Sequence, residues 1–230
     1  MTINRENQPL IVLVHGLWMS GFELGVLKHR VEDGGEFRAC AFSYPSLTGS
    51  MNEHVNSLVE FARSQRVPEL HFIGHSLGGL VILRALMQAN DFPPGRAVLL
   101  GTPLQGSRAA QGVARLPFGK MILGSAVHEE CVEFAPREWT GPREVGIIAG
   151  SMGLGLGRLV AKLDVDNDGT VLVEETKLPG AKDHIIMPVT HTGMVFSADV
   201  AEQAIWFLKN GEFKKVKRDE KSDVTQRAQK

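Results

Sequence analysis

Apolar residues follow two rhythms along this chain. Short, mostly apolar runs recur at residues 10–14 (Leu-Ile-Val-Leu-Val), 37–42, 70–73, 96–100, 145–149 and 184–188. Runs of this length without polar alternation predict strands buried on both faces. Between them the apolar residues are spaced by three and four. Val55, Leu58, Val59 and Ala62 form one stripe within residues 50–66, with Ser50 and Asn52 available as caps. Residues 21–33, 77–89 and 198–209 carry the same period, the last through Ala201, Ala204, Ile205 and Leu208. Strands alternating with helices predict an α/β fold, a mostly parallel central sheet with helices on both faces. In such sheets the chemistry sits at the C-terminal ends of the strands.

Two segments depart from this pattern. Residues 104–143 are rich in Gly, Pro and Arg, with scattered apolar residues such as Leu116, Phe118, Met121 and Ile122. They read either as an irregular connection over the sheet edge or as a small lid-like insertion; long insertions in compact domains are often functional, which favours the lid. Residues 210–230 are mostly charged or polar and predict a disordered tail after one domain spanning 1–209.

Composition narrows the function. The chain has 230 residues, 43% hydrophobic and 22% charged, and a net charge of −1. That length suits one domain with a sizeable core. Outside the tail no basic patch exists of the kind nucleic acid requires. No apolar run is long enough for a transmembrane segment, and the first residues lack a signal-peptide core. Cys40 and Cys131, two and far apart, predict neither a disulfide framework nor a zinc site, and point to a reduced, cytoplasmic compartment.

The most informative stretch is Ile73-Gly74-His75-Ser76-Leu77-Gly78-Gly79-Leu80, between an expected strand (70–73) and an expected helix (80–87). A serine at such a turn sits on strained backbone that pushes its hydroxyl outward, and the helix start aims N–H groups at the same spot. A Cβ at position 74 or 78 would clash in so tight a fold-back. A Gly-rich turn with an incidental serine is the alternative, but the strand and helix context favours a nucleophile. On these residues the chain resembles the α/β-hydrolase family from near its start to about residue 209.

That resemblance implies a base and an acid, in the order Ser, Asp or Glu, His. After Ser76 the histidines are His128, His184 and His191. His191, in Pro188-Val189-Thr190-His191-Thr192-Gly193-Met194, follows the last strand and precedes the last helix, where the family's base lies. The candidate acids are Asp164, Asp166, Asp168 and Asp183. Asn167-Asp168-Gly169-Thr170-Val171 resembles the Asp-Gly-x-Val loop of bacterial lipases, which favours Asp168, with Asp166 second. The oxyanion hole is expected from the N–H groups of Leu77 and of Leu17, the latter in His15-Gly16-Leu17-Trp18. Trp18 and Met19 either wall a substrate-binding acyl site or cover the sheet edge. Gly101-Thr102-Pro103-Leu104-Gln105-Gly106-Ser107 is similar to a segment of lipases and GPI-inositol-deacylase-like hydrolases.

One competing pattern shares these residues. Asp164-x-Asp166-x-Asp168-Gly169, with Val171 and Glu175, fits the calcium loop of an EF-hand, although Pro179 breaks the exit helix such a hand needs. Asp168 cannot serve both. Gly153-x-Gly155-x-Gly157 has the wrong spacing for a dinucleotide loop, and His15, His71 and His75 are not arranged as metal ligands. His75 lies within the elbow, where family members vary. The expectation is therefore a serine hydrolase acting through an acyl-enzyme on a small-molecule carboxylic ester with an apolar acyl group, needing no cofactor. A thioesterase or acyltransferase, a non-catalytic binding protein on the same fold, and a calcium-binding protein are the alternatives.

Overall fold

The computed structural model describes residues 8–133, 137–153 and 166–215. Six parallel strands form one sheet: β1 Leu10–Val14, β2 Arg38–Phe42, β3 Leu70–His75, β4 Ala97–Leu100, β5 Val145–Gly150 and β6 Asp183–Met187, in the order β2-β1-β3-β4-β5-β6. Among the described residues, six α-helices connect and cover them: α1 Gly25–Glu32, α2 Met51–Ser64, α3 Leu77–Gln88, α4 Arg108–Ala114, α5 Gly119–Val127 and α6 Ala198–Asn210. The expected α/β architecture is the one observed.

The unbroken apolar runs have a direct explanation. Along β1, Val12 and Val14 point into a core formed with α2, α3 and α5, while Ile11 and Leu13 point into a second core formed with α1 and α6. Both faces exclude water, so no position of the strand can be polar without a partner. Since α1 packs on one face and α3 on the other, the chain leaves the neighbouring strands β1 and β3 in opposite directions. A crevice opens where such connections diverge, beyond the strand ends.

Boundaries shift where local chemistry overrides periodicity. The helix expected at 21–33 begins as a 3-10 turn, Phe22–Leu24, before α1. Of the two expected caps of α2, Ser50 is the one used: its hydroxyl accepts the Glu53 N–H at 3.3 Å, and the Glu53 carboxylate accepts the Ser50 N–H at 2.6 Å. Residues 104–133 are largely helical rather than irregular, holding α4, α5 (kinked at Gly124) and a π-helical turn, His128–Val132, while residues 137–143 are irregular. Residues 211–215, expected in the loose tail, are tied down: the Asp183 carboxylate accepts the Phe213 N–H at 2.8 Å, and Phe213 is buried against Phe207. Residues 216–230 lie outside the described residues. Among the described residues, no helix is long and apolar enough to cross a membrane.

The capping box yields a stability prediction. Ser50→Ala removes the acceptor for an otherwise unpaired helix N–H, and urea denaturation should show a loss of about 1 kcal/mol.

Candidate active site

The site is assembled at the C-terminal edge of the sheet, around the turn from β3 into α3. Ser76 sits there at φ 54°, ψ −122°, a backbone conformation side chains rarely adopt. Its neighbours hold it in place. The Ser76 N–H donates to the Leu100 carbonyl at 2.9 Å, and the Gly79 N–H donates to the Ser76 carbonyl at 3.0 Å. A Cβ on Gly74 would lie 2.7 Å from the Gly79 Cα, and one on Gly78 would lie 2.5 Å from the His15 carbonyl oxygen. These close approaches, rather than a need for positive φ, require glycine at both positions. The first turn of α3 thus presses onto the end of β1, beside the loop carrying Gly16 and Leu17.

That loop is fixed from behind. Buried His15 donates through Nδ1 to the Gly16 carbonyl at 2.9 Å and accepts the Tyr44 N–H at Nε2 at 3.2 Å. The Tyr44 hydroxyl donates to the His15 carbonyl at 2.9 Å, and the two rings stack 4.5 Å apart. Burial lowers the His15 pKa, which keeps its ring neutral and able to accept at Nε2. In a trans peptide the N–H points opposite to the C=O. With the Gly16 carbonyl held toward His15, the Leu17 N–H is turned away from it. A Cβ added to Gly16 would lie 3.0 Å from the Ser76 Cβ, so this loop and the serine are in contact distance.

The predicted base and acid are brought together. His191 Nδ1 and Asp168 Oδ2 are 2.7 Å apart, and Asp168 is 1% exposed. The other carboxylate oxygen accepts the N–H groups of Thr170 at 2.9 Å and Val171 at 2.7 Å. The His191 N–H donates to the Asp168 carbonyl at 2.8 Å, joining the two loops through the backbone as well. A carboxylate acceptor at Nδ1 places the ring proton there and leaves Nε2 as the basic nitrogen. Gly101 lets this pair pack onto the end of β4: its φ is +54°, and a Cβ there would sit 3.0 Å from Asp168 Oδ2. The serine is tied to the neighbouring residue, Leu100. Ser76 Oγ and His191 are not hydrogen-bonded to each other, which is common before a substrate tightens the site.

The calcium-loop pattern is used differently here. The Glu175 carboxylate, which would close the metal loop, accepts the backbone N–H groups of Arg108 at 2.7 Å and Leu172 at 2.9 Å. The Asp168 oxygens are committed as described, and Asp166 is exposed. Glu174–Thr176 forms a single 3-10 turn in place of an exit helix. Asp164, and most of the Gly153–157 stretch, lie outside the described residues.

The remaining candidates fall around this centre. Trp18 is 56% exposed and its indole N–H donates to the Ile122 carbonyl at 3.1 Å, linking the loop after β1 to α5. Met19 packs partly against the core under α1 and α6. His184 pairs with the Thr176 hydroxyl, and His128 lies 3.5 Å from Glu133, so neither joins the pair. Two residues beside the site were given no role in the sequence reading, although His75 was placed within the elbow. One is Tyr44; its place at the end of an expected strand was the available signal. The other is His75, fully buried, whose Nε2 donates to the His191 carbonyl at 2.9 Å with the two rings 4.7 Å apart. Burial, reinforced by His191, pushes its pKa down to about 3.

Residues 11–161 match the alpha/beta hydrolase family, and the chain belongs to that family. No curated protein sequence matches it. Solved structures share its fold. A Bacillus licheniformis lipase, BlEst2 in its propeptide form, superposes with a TM-score of 0.66 at 19% identity, over 84% of this chain and 48% of that one. A metagenomic carboxyl esterase, MGS0156, gives 0.61 at 17% identity, over 81% of this chain and 65% of that one. The carboxylesterase CesB of Bacillus subtilis gives 0.57 at 14% identity, over 89% and 84%. The chain therefore spans about half the length of the first and 65% of the second.

His75 generates a pH prediction. Its folded pKa of about 3 lies below the ordinary 6.5, so between these values the unfolded chain binds a proton that the folded one refuses. Stability present above pH 6.5 is lost as pH falls, at up to about 1.4 kcal/mol per pH unit from this group. Urea titrations between pH 7 and 4 should show a shallower dependence for His75→Gln than for the wild type.

Proposed function

We propose that this protein is a serine hydrolase that cleaves small-molecule carboxylic esters through an acyl-enzyme. The observation that carries the reading is the buried Asp168–His191 pair, 2.7 Å apart, packed against the residue that follows the hydrogen-bond partner of the strained Ser76. Ser76 Oγ attacks the ester carbonyl carbon as His191 Nε2 removes its proton. The carbonyl oxygen gains negative charge and is met by the N–H groups of Leu77 and Leu17. His191 then gives its proton to the departing alkoxide, leaving an acyl-Ser76 ester. Water, deprotonated by the same nitrogen, attacks that ester and releases the acid. Asp168 holds the ring in one tautomer and stabilises the imidazolium formed in each half-reaction. No step calls for a cofactor or a metal.

Trp18 stands beside the oxyanion loop and contacts α5, which supports an apolar wall for the acyl group; Met19, turned toward the core, supports the loop instead. A reduced, cytoplasmic location fits two cysteines that are both free, with the Cys131 thiol pushed up to about 12 by burial and so unreactive.

Labelling with a fluorophosphonate tests the reading. The wild type should acquire one phosphonyl adduct on Ser76, and Ser76→Ala and His191→Ala none. On p-nitrophenyl esters of rising chain length, Asp168→Asn should lower kcat by about 10³–10⁴-fold with the fold intact. Absence of labelling in folded wild-type protein would rule out an activated serine.

A further inference from the structure

Three non-glycine residues among those described have positive φ: Trp18, Ser76 and Phe118. The first two belong to the site above. Phe118 has no such role. It sits in the turn between α4 and α5 at φ 62°, ψ 11°, the left-handed region that glycine and asparagine enter far more readily. Its ring is 76% exposed. Neither the backbone nor the packing of this chain gives a reason for phenylalanine there. Backbone strain kept at such a position points to an interaction outside the fold.

The surroundings indicate its nature. Leu116 is 49% exposed, Met121 73% and Ile122 40%, so the apolar surface continues on both sides of Phe118. The turn itself is tight: the Gly119 N–H donates to the Leu116 carbonyl at 2.9 Å, and Gly119 is buried against the Val113 carbonyl. Arg115 and Lys120 flank the ring, both exposed and without an ion-pair partner among the described residues. Residues 105–127 hold three cations, counting Arg108, and no acid.

We propose that this tip, residues 115–122, docks the protein onto an anionic phospholipid surface. Aromatic and aliphatic side chains that insert at the acyl boundary, between cations that meet headgroup phosphates, are the chemistry such a surface recognises. A turn between two helices offers no groove for a peptide. Eight residues are also far short of the roughly 20–30 per side of a stable protein interface. The tip lies on the same edge of the molecule as Ser76, because Ile122 accepts the Trp18 indole N–H and Gly124 packs on the Leu47 carbonyl. Docking therefore turns the site toward the lipid. Only that last consequence rests on the hydrolase reading.

Co-sedimentation with vesicles tests the docking, using the Ser76→Ala protein so that the result is independent of catalysis. Vesicles of phosphatidylcholine alone are compared with an equimolar mixture containing phosphatidylglycerol. Binding to the anionic vesicles should be at least about tenfold stronger, and should weaken as salt is raised. The double variant Arg115→Gln, Lys120→Gln should lose that preference. Phe118→Asn relieves the backbone, so its melting temperature should hold or rise while vesicle binding falls. Turnover of a water-soluble short-chain ester, measured with Ser76 present, should not change in Phe118→Asn. Equal or absent binding to the two vesicle types would overturn the proposal. So would a dimer that Phe118→Asn converts to a monomer, since that would assign the tip to a second copy of the chain.

Discussion

The arrangement at the sheet edge depends on how closely the first turn of α3 approaches the end of β1. Gly78 rests against the carbonyls of Val14 and His15, and Gly74 rests against Gly79. With so little room the chain cannot leave β3 by an ordinary turn. It passes through Ser76 in a conformation that is unfavourable for serine and that the packing on both sides enforces. The same approach brings the loop after β1, the start of α3 and the serine within a few ångströms of one another. It needs rigid partners, which the fully buried β1 and β3 supply.

A second constraint is electrostatic. Asp168 is buried, and two backbone N–H groups and one ring nitrogen surround its carboxylate: Thr170 and Val171 at one oxygen, His191 at the other. Each of these fixed dipoles offsets part of the hydration that a buried carboxyl group loses. The two other histidines of the edge are kept neutral by burial, His15 with both nitrogens engaged and His75 donating to the His191 carbonyl. The turn between α4 and α5 differs from these buried groups, with exposed cations and exposed apolar side chains.

Much of this was legible in the chain. The six strands follow from mostly apolar runs of four to six residues; the four central ones, β1, β3, β4 and β5, are covered on both faces and have no solvent side to encode, while the edge strands β2 and β6 are partly exposed. The elbow follows from glycines two residues either side of a serine between a strand and a helix. Asp168 and His191 were recognisable from short local motifs. Other features were not legible, and each depends on contacts distant in sequence. Tyr44 reaches His15 across 29 residues, and His75 reaches His191 across 116. The sequence pattern allowed Asp168 and Glu175 to be calcium ligands; their actual partners are backbone N–H groups and, for Asp168, the His191 ring as well. In residues 104–143, Gly and Pro masked helices whose apolar faces are short and kinked.

Sequence alone therefore determined the layers of the fold and singled out the candidate groups, because burial on two faces and close backbone approach constrain residue type directly. Tertiary structure alone decided which acid meets which base, which histidines stay neutral and where the exposed apolar hairpin stands relative to the serine. Those are questions of distance and desolvation between segments far apart in the chain, and they have no answer until the sheet sets the segments side by side.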